Sequence, residues 1–201
     1  MKRPRIWIFS LALIAWCASV SPALAQSPTD YVRGILNKVM AIQTDPALTG
    51  PAHETPRSQL IHQVIEGSFD FSTMAKDALG PAYGQISGGQ RHEFTTTFSY
   101  LFQDSYTRMV LKFLQKENIT YNRESREGGK ARVDTTIVRP NESIPVTYMM
   151  HQTSGGWLLY DVNVDEVSIL NNYRTQFSQV VKTKGFGFLL ERMKTQRQAV
   201  K

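Results

Sequence analysis

The sequence predicts an α+β domain in which helices pack on a curved, four-stranded antiparallel sheet. Three observations predict it. Apolar residues recur at helical spacing on both sides of a central block. That block alternates apolar and polar residues as half-buried strands do. Its strands are separated by turn signals too short for crossovers, which makes neighbours antiparallel. At 201 residues the chain suits one domain with a sizeable core.

The first 25 residues stand apart from that core. Lys2, Arg3 and Arg5 open the chain, Ile6 to Val20 form an apolar run, and Pro22 precedes Ala23-Leu24-Ala25. This is the pattern of a cleaved secretory signal peptide over 1–25, leaving a single domain over 26–201. The run is shorter than the roughly 18–20 residues a bilayer span needs. Cys17, the only cysteine, lies inside it, and the bulky Trp16 before it argues against a lipidated cysteine. The mature chain is therefore expected to have no disulfide, cysteine metal site or cysteine nucleophile. The segment also holds three of the 23 Lys and Arg and none of the 17 Asp and Glu, so its loss lowers the formal charge from +6 to +3. Much of the remaining basicity sits in a C-terminal tail (Lys182, Lys184, Arg192, Lys194, Arg197, Lys201), a weak case for nucleic acid.

Along the mature chain, Tyr31 to Ala41 carries a helical stripe of Tyr31, Val32, Ile35, Leu36 and Val39. Thr44 to Pro56 lacks apolar periodicity and reads as a loop. Gln59 to Ile65 reads as a short helix stopping at Gly67, and Asp70 as the cap of the next, which ends at Gly80-Pro81. Ser87-Gly88-Gly89 precedes the longest stripe: Phe94, Phe98, Leu101, Phe102, Met109, Val110 and Phe113, with Tyr106 beside it. Strands follow at Ile119 to Glu124, Ala131 to Arg139, Ile144 to His151 and Trp157 to Val164. The last is apolar on both faces, which reads as a strand covered on both sides. Val167, Leu170, Tyr173, Phe177 and Val181 resume a helix, and Phe186 to Met193 add a final amphipathic turn or two.

The sequence carries few signs of chemistry. The nucleophile elbow, phosphate loop, zinc-protease motif and dinucleotide fingerprint are all missing, and the four histidines show no ligand spacing. Asp161-Val-Asn163-Val-Asp165 starts like a calcium loop, but Glu166 stands where the sharp turn needs Gly and Asn172 where a bidentate Glu belongs. Asp161, Asp165 and Glu166 as hydrolytic acids lack a companion cleft in the pattern; carboxylates before a helix more commonly cap it. No cofactor, metal or enzymatic activity is expected. The aromatic and Met stripe of the long helix, facing Tyr148, Met149, Met150 and Tyr160, is either ordinary core or the wall of an apolar cavity. Periodicity does not separate the two.

Two segments carry a resemblance. FDFSTMAKDALGPAYGQISGGQRHEFTTTFSYLFQDSYTRMV and GWLLYDVNVDEVSILNNYRTQFSQVV are similar to the toluene-tolerance or MlaC family over nearly all of the mature chain. The family pattern is matched by Trp157, Asp161, Ser168, Tyr173, Arg174 and Phe177; Glu166 departs from the Gly of most members. The resemblance implies a periplasmic phospholipid carrier with an apolar pocket between helices and sheet, working between the two membranes. Its partners would be an MCE-domain ABC transporter at the inner membrane and an outer-membrane lipoprotein–porin complex, and it would act as a monomer. A hopanoid-associated branch is the alternative within the family; a secreted adaptor with a solid core is the alternative outside it, and an envelope hydrolase a third. On this reading the acyl chains meet Phe98, Phe102, Tyr106, Met109, Val133, Ile137, Val146, Tyr148, Met150, Tyr160, Val162, Tyr173 and Phe177. Trp157 belongs to the wall or its packing, and Ser168 caps the next helix. Arg174 meets a phosphate or pairs with Asp161, the pairing being preferred.

Overall fold

The computed structural model describes residues 26–199. The expected signal peptide lies outside the described residues. Four helices precede the sheet: α1 (Pro28–Thr44), α2 (Glu54–Glu66), α3 (Phe71–Leu79) and α4 (Gly88–Phe113). Five strands follow: β1 (Asn118–Glu127), β2 (Lys130–Arg139), β3 (Glu142–Thr153), β4 (Gly156–Val164) and β5 (Val167–Ser168). Helices α5 (Ile169–Lys184) and α6 (Phe186–Ala199) close the chain.

Local chemistry sets the helix starts. Ser27 caps α1, its Oγ accepting from the Asp30 amide at 3.0 Å. Asp70 caps α3 through the Thr73 amide at 2.9 Å. Ser87 and Gln90 form a reciprocal capping box on α4. The expected loop over Thr44–Pro56 is instead two 3-10 turns, Pro46–Leu48 and Pro51–His53, running into the first turn of α2. Pro56 is tolerated there because first-turn amides have no intrahelical acceptor to lose.

The sheet is a meander in chain order, every pairing antiparallel, with two-residue turns throughout. It has five strands, not the expected four. The fifth is only two residues long and hangs on the turn Asp165-Glu166, where both residues have positive φ (49° and 64°). Gly128-Gly129 make the same kind of turn between β1 and β2, with φ of 53° and 78°, at no steric cost. Two acidic residues give no turn signal of that sort, and so β5 is invisible to periodicity.

A bulge opposite Met149 and Met150 leaves Tyr160 as the extra residue of β4. It reverses the alternation, so that Leu159 and Val162 both point into the core although they are three apart. The expectation of a strand covered on both faces is corrected accordingly: β4 is buried on one face and half-covered on the other. The helices lie on the face that carries Ala131, Val133, Thr135, Ile137, Val146, Tyr148 and Met150. Beyond β4 the sheet edge is occupied by Ser68–Asp70, where the Leu159 amide donates to Ser68 and the Asp70 amide to Leu159. A free strand edge is thereby covered.

Helix α1 is tied to β1 by one carboxylate. Glu124 Oε2 accepts from the Thr29 amide at 2.8 Å and its hydroxyl at 2.6 Å, where the helix dipole also favours an anion. Partial burial pushes the Glu124 carboxyl up, but the Thr29 bonds and the Arg126 guanidinium outweigh it and hold the group below its ordinary range.

Two stability predictions follow from these contacts. Glu166→Gly removes a left-handed conformation from a residue with a Cβ and is expected to raise stability by about 1 kcal/mol, read as a higher urea midpoint. A lowered folded-state pKa stabilises above the unfolded value and is lost as pH falls through the folded one. Glu124→Gln is therefore expected to be less stable than the parent at neutral pH, the gap closing as pH drops below about 4 in urea titrations at a series of pH values.

Candidate functional site

Helix α4 changes character along its length. Its first half presents Phe94, Phe98 and Phe102, all essentially fully buried. These rings pack edge-on to α5, with Phe98–Tyr173 centroids at 5.4 Å and Phe94–Phe177 at 5.7 Å, while Phe102 meets Phe69 at 5.2 Å. Its second half offers Met109 and Val110 to a sheet that offers Ile137, Ile144 and Val146. These shorter side chains do not close the distance set by the rings, and a cavity of about 160 Å³ remains.

Its walls come from three layers. Helix α1 supplies Ile35, Leu36 and Val39; the α2–α3 segment supplies Ile65 and Phe69; α4 and its exit supply Tyr106, Met109, Val110, Phe113 and Leu114. The sheet adds Ile137, Ile144, Val146, Tyr148, Leu159 and Val164. The only polar atoms these side chains carry are two phenolic hydroxyls. Burial alone pushes the Tyr106 hydroxyl well above the ordinary range. The residue as a whole is half-buried, while its hydroxyl is enclosed by protein. Burial raises Tyr148 as well, reinforced by Tyr106 and Tyr121 and opposed by a hydrogen bond with Thr135. Both stay neutral at physiological pH, and the cavity holds no charge.

A second, larger hollow of about 380 Å³ lies on the other side of Tyr106 and Met109, between α4, α5 and α6. Its floor includes Phe102, Tyr173, Phe177, Leu189 and Met193, and its rim Asn172, Gln176, Arg192 and Gln196.

The mouth of the first cavity is marked by Phe113, 42% exposed and the most open of its lining side chains. Lys112 Nζ and the Arg139 guanidinium stand 5.3 and 5.7 Å from its ring centre. The last turn of α4 is moored here. Gln43 Nε2 donates to the carbonyls of Val110, Leu111 and Leu114 at 3.3, 3.3 and 2.8 Å. Arg139 donates to the Phe113 carbonyl and pairs with Glu117 and Glu142, each at 3.3 Å. Both side chains satisfy carbonyls a helix end leaves open.

Of the residues expected to meet acyl chains, Tyr106, Met109, Ile137, Val146 and Tyr148 line the first cavity. Phe102, Tyr173 and Phe177 line the second, together with Tyr106 and Met109. Phe98, Val133, Met150 and Val162 are buried in solid core and line neither. Tyr160 is a correction. The bulge turns it to the outer face, where it stacks on His151 at 5.7 Å, beside the Asp70–His151 pair at 3.0 Å. Trp157 also lines neither cavity; it is packing, its indole Nε1 donating to the Gln26 carbonyl at 3.0 Å.

The preferred Asp161–Arg174 pairing is not present. Asp161 accepts from the Val162 amide (2.8 Å), the Leu170 amide (3.0 Å) and the Ser168 hydroxyl (2.6 Å), so its carboxylate is used by the backbone. Ser168 in turn caps α5 through the Asn171 amide. Arg174 is exposed, and its Nε lies 3.8 Å from where a side chain at Gly80 would begin. The cavity residues that sequence reasoning missed are chiefly those of α1, with Phe69, Phe113, Leu114, Ile144, Leu159 and Val164. The α1 stripe was visible; which strands it faces was not.

A family model described as "MlaC protein" matches residues 33–195. Among solved structures the fold is similar to that of a phospholipid-binding protein from Ralstonia solanacearum, solved in complex with a phospholipid. The TM-score is 0.72 at 22% identity, covering 85% of this chain and 96% of that one. No curated protein matches the sequence.

Asp161→Ala is expected to cost about 2–3 kcal/mol, since it strips a charged acceptor from two amides and a hydroxyl. Chemical denaturation measures it, and Arg174→Ala in parallel should stay within about 0.5 kcal/mol of the parent.

Proposed function

The chain belongs to the MlaC family, and on that premise we propose that it is a periplasmic phospholipid carrier, exported by a signal peptide over 1–25 and holding acyl chains in the cavity between α4, α1 and the sheet. The observation that carries this reading is a wall built from apolar side chains and two neutral tyrosines, opening at a single exposed phenylalanine between two cations. The fold's similarity to a protein solved with a phospholipid supports it. The proposed site residues are those that line the two hollows: Phe102, Tyr106, Met109, Ile137, Val146, Tyr148, Tyr173 and Phe177. Exchange partners are an MCE-domain ABC transporter at the inner membrane and a lipoprotein–porin complex at the outer one.

A carrier needs no catalytic group. Each methylene kept from water is worth ~0.8 kcal/mol, so two chains of ~30 methylenes face ~24 kcal/mol in crossing water unprotected. A dry container removes that barrier. The cavity as it stands is small, since an apolar void of about 150 Å³ accommodates benzene. A whole chain requires α4 to shift from the sheet, and the moorings at Gln43 and Arg139 decide how easily its end moves. Direction of transfer comes from partners that bind the loaded and empty forms unequally.

Gentle purification, organic extraction and mass spectrometry are expected to return near-stoichiometric phospholipid; a hopanoid in its place would assign the other branch. Val146→Phe, which fills the cavity, is expected to lower the bound lipid about tenfold or more with the fold retained by circular dichroism. Absence of lipid from the parent protein, with no thermal stabilisation on adding phospholipid vesicles, overturns the carrier in favour of an adaptor.

A further inference from the structure

Export as proposed above ends with hydrolysis of the bond between Ala25 and Gln26, which makes a glutamine the first residue of the mature chain. A glutamine in that position carries a nucleophile and an electrophile within one residue. Its new α-amine reaches its own side-chain Cδ through an unstrained five-membered ring, and attack within one molecule has a large entropic advantage. The peptide nitrogen present before the cut is not nucleophilic, so Gln26 is inert until then.

The fold leaves this reaction open and holds what it produces. Gln26 is exposed, and its Nε2 lies 4.0 Å from where a Cβ on Gly34 would stand, folded back over α1 where glycine offers no side chain to block it. The carbonyl of the same residue accepts from the Trp157 indole Nε1 at 3.0 Å, and that indole is buried. Ser27, the next residue, caps α1. Ring closure consumes the amine and the side-chain amide but spares the carbonyl, so the Trp157 bond survives it. Closure also removes a positive charge from the positive end of a helix dipole, where cations are disfavoured.

We propose that Gln26, seated by its carbonyl on the Trp157 indole, is a modification site that becomes an N-terminal pyroglutamate. The α-amine nitrogen bonds to Cδ, the Cδ–Nε2 bond breaks, and Nε2 leaves as ammonia with a proton from the amine; nothing is oxidised or reduced. The proposal rests on the cleaved signal peptide of the reading above and not on the lipid site. The seat has a consequence of its own, because the carbonyl that Trp157 holds is the one a pyroglutamyl peptidase must attack.

The full chain is exported with its own residues 1–25 by a bacterial host with two membranes, and its intact mass is measured without digestion, at once and after incubation at neutral pH. The expected mass is that of residues 26–201 less one ammonia, with Gln26→Ala retaining the full mass of its own chain. A parent that begins at Gln26 and keeps its ammonia overturns the proposal, as does loss of ammonia that persists in Gln26→Ala. A chain that begins elsewhere differs by whole residues and removes the export reading beneath it. Release of the closed residue by pyroglutamyl peptidase is expected to be about fivefold faster from Trp157→Phe than from the parent, the effect of one lost hydrogen bond. Should that variant not fold by circular dichroism, the closed peptide of residues 26–33, which lacks the indole, takes its place. Equal rates overturn the seat on Trp157.

Discussion

The structure depends on how α4 is held off the sheet. Left to the hydrophobic effect, its apolar stripe would settle until the void beneath it closed, because an unfilled cavity of 160 Å³ costs about 4 kcal/mol at ~24 cal/mol per Å³. Two opposed restraints prevent that. Phe94, Phe98 and Phe102 wedge the first half of the helix against α5 and Phe69. Gln43 and Arg139 moor the last turn by its carbonyls to α1 and to the β2–β3 turn. Each such hydrogen bond is worth about 1 kcal/mol, more where a charge takes part. The moorings and the void are thus of one magnitude, and neither overwhelms the other.

What was legible in the sequence was local. Asp70, Ser87 and Ser168 announce helix starts by their side-chain oxygens, and Gly128-Gly129 announces a hairpin by its freedom at positive φ. The alternation of Val133, Thr135 and Ile137 fixes which face of β2 is buried. The misses have physical causes as well. Asp165-Glu166 adopt a glycine-like turn with no glycine, so β5 left no mark. The bulge at Tyr160 depends on pairing with β3, a contact distant along the chain, and it reversed the side on which that tyrosine stands. For the site, periodicity identifies a buried face but not whether neighbours fill it. Phe98 and Met109 share one stripe, yet one is clamped between rings and the other borders open space.

The second half of the fold is positioned by a single carboxylate. Asp161 leaves β4 immediately after the bulge and reaches forward to the Leu170 amide and the Ser168 hydroxyl. It thereby sets where α5 begins relative to the sheet. Tyr173 and Phe177 follow within two turns, and they are at once the partners of the α4 rings and part of the groove floor. A shift in Asp161 would therefore move the wedge that keeps the first cavity open and the wall of the second hollow together. Within the acidic cluster that resembled a metal site or a hydrolytic pair, Asp161 has this mechanical role, its oxygens facing two amides and a hydroxyl, while Asp165 and Glu166 stand exposed in the turn.

On the proposed carrier reading, the same arrangement bears on release as much as on binding. Hydrocarbon that fills the void returns the roughly 4 kcal/mol the empty cavity costs, so occupancy and stability of the folded domain are linked. With no charge in the walls, nothing inside discriminates between head groups; selectivity there is by chain bulk alone. Charge discrimination is confined to the mouth, where Arg139 is already engaged by two carboxylates at the long distance of 3.3 Å. An anion arriving there competes for the guanidinium that also holds the Phe113 carbonyl. Loosening that contact frees the end of α4, a part of the wall that lies away from the aromatic wedge.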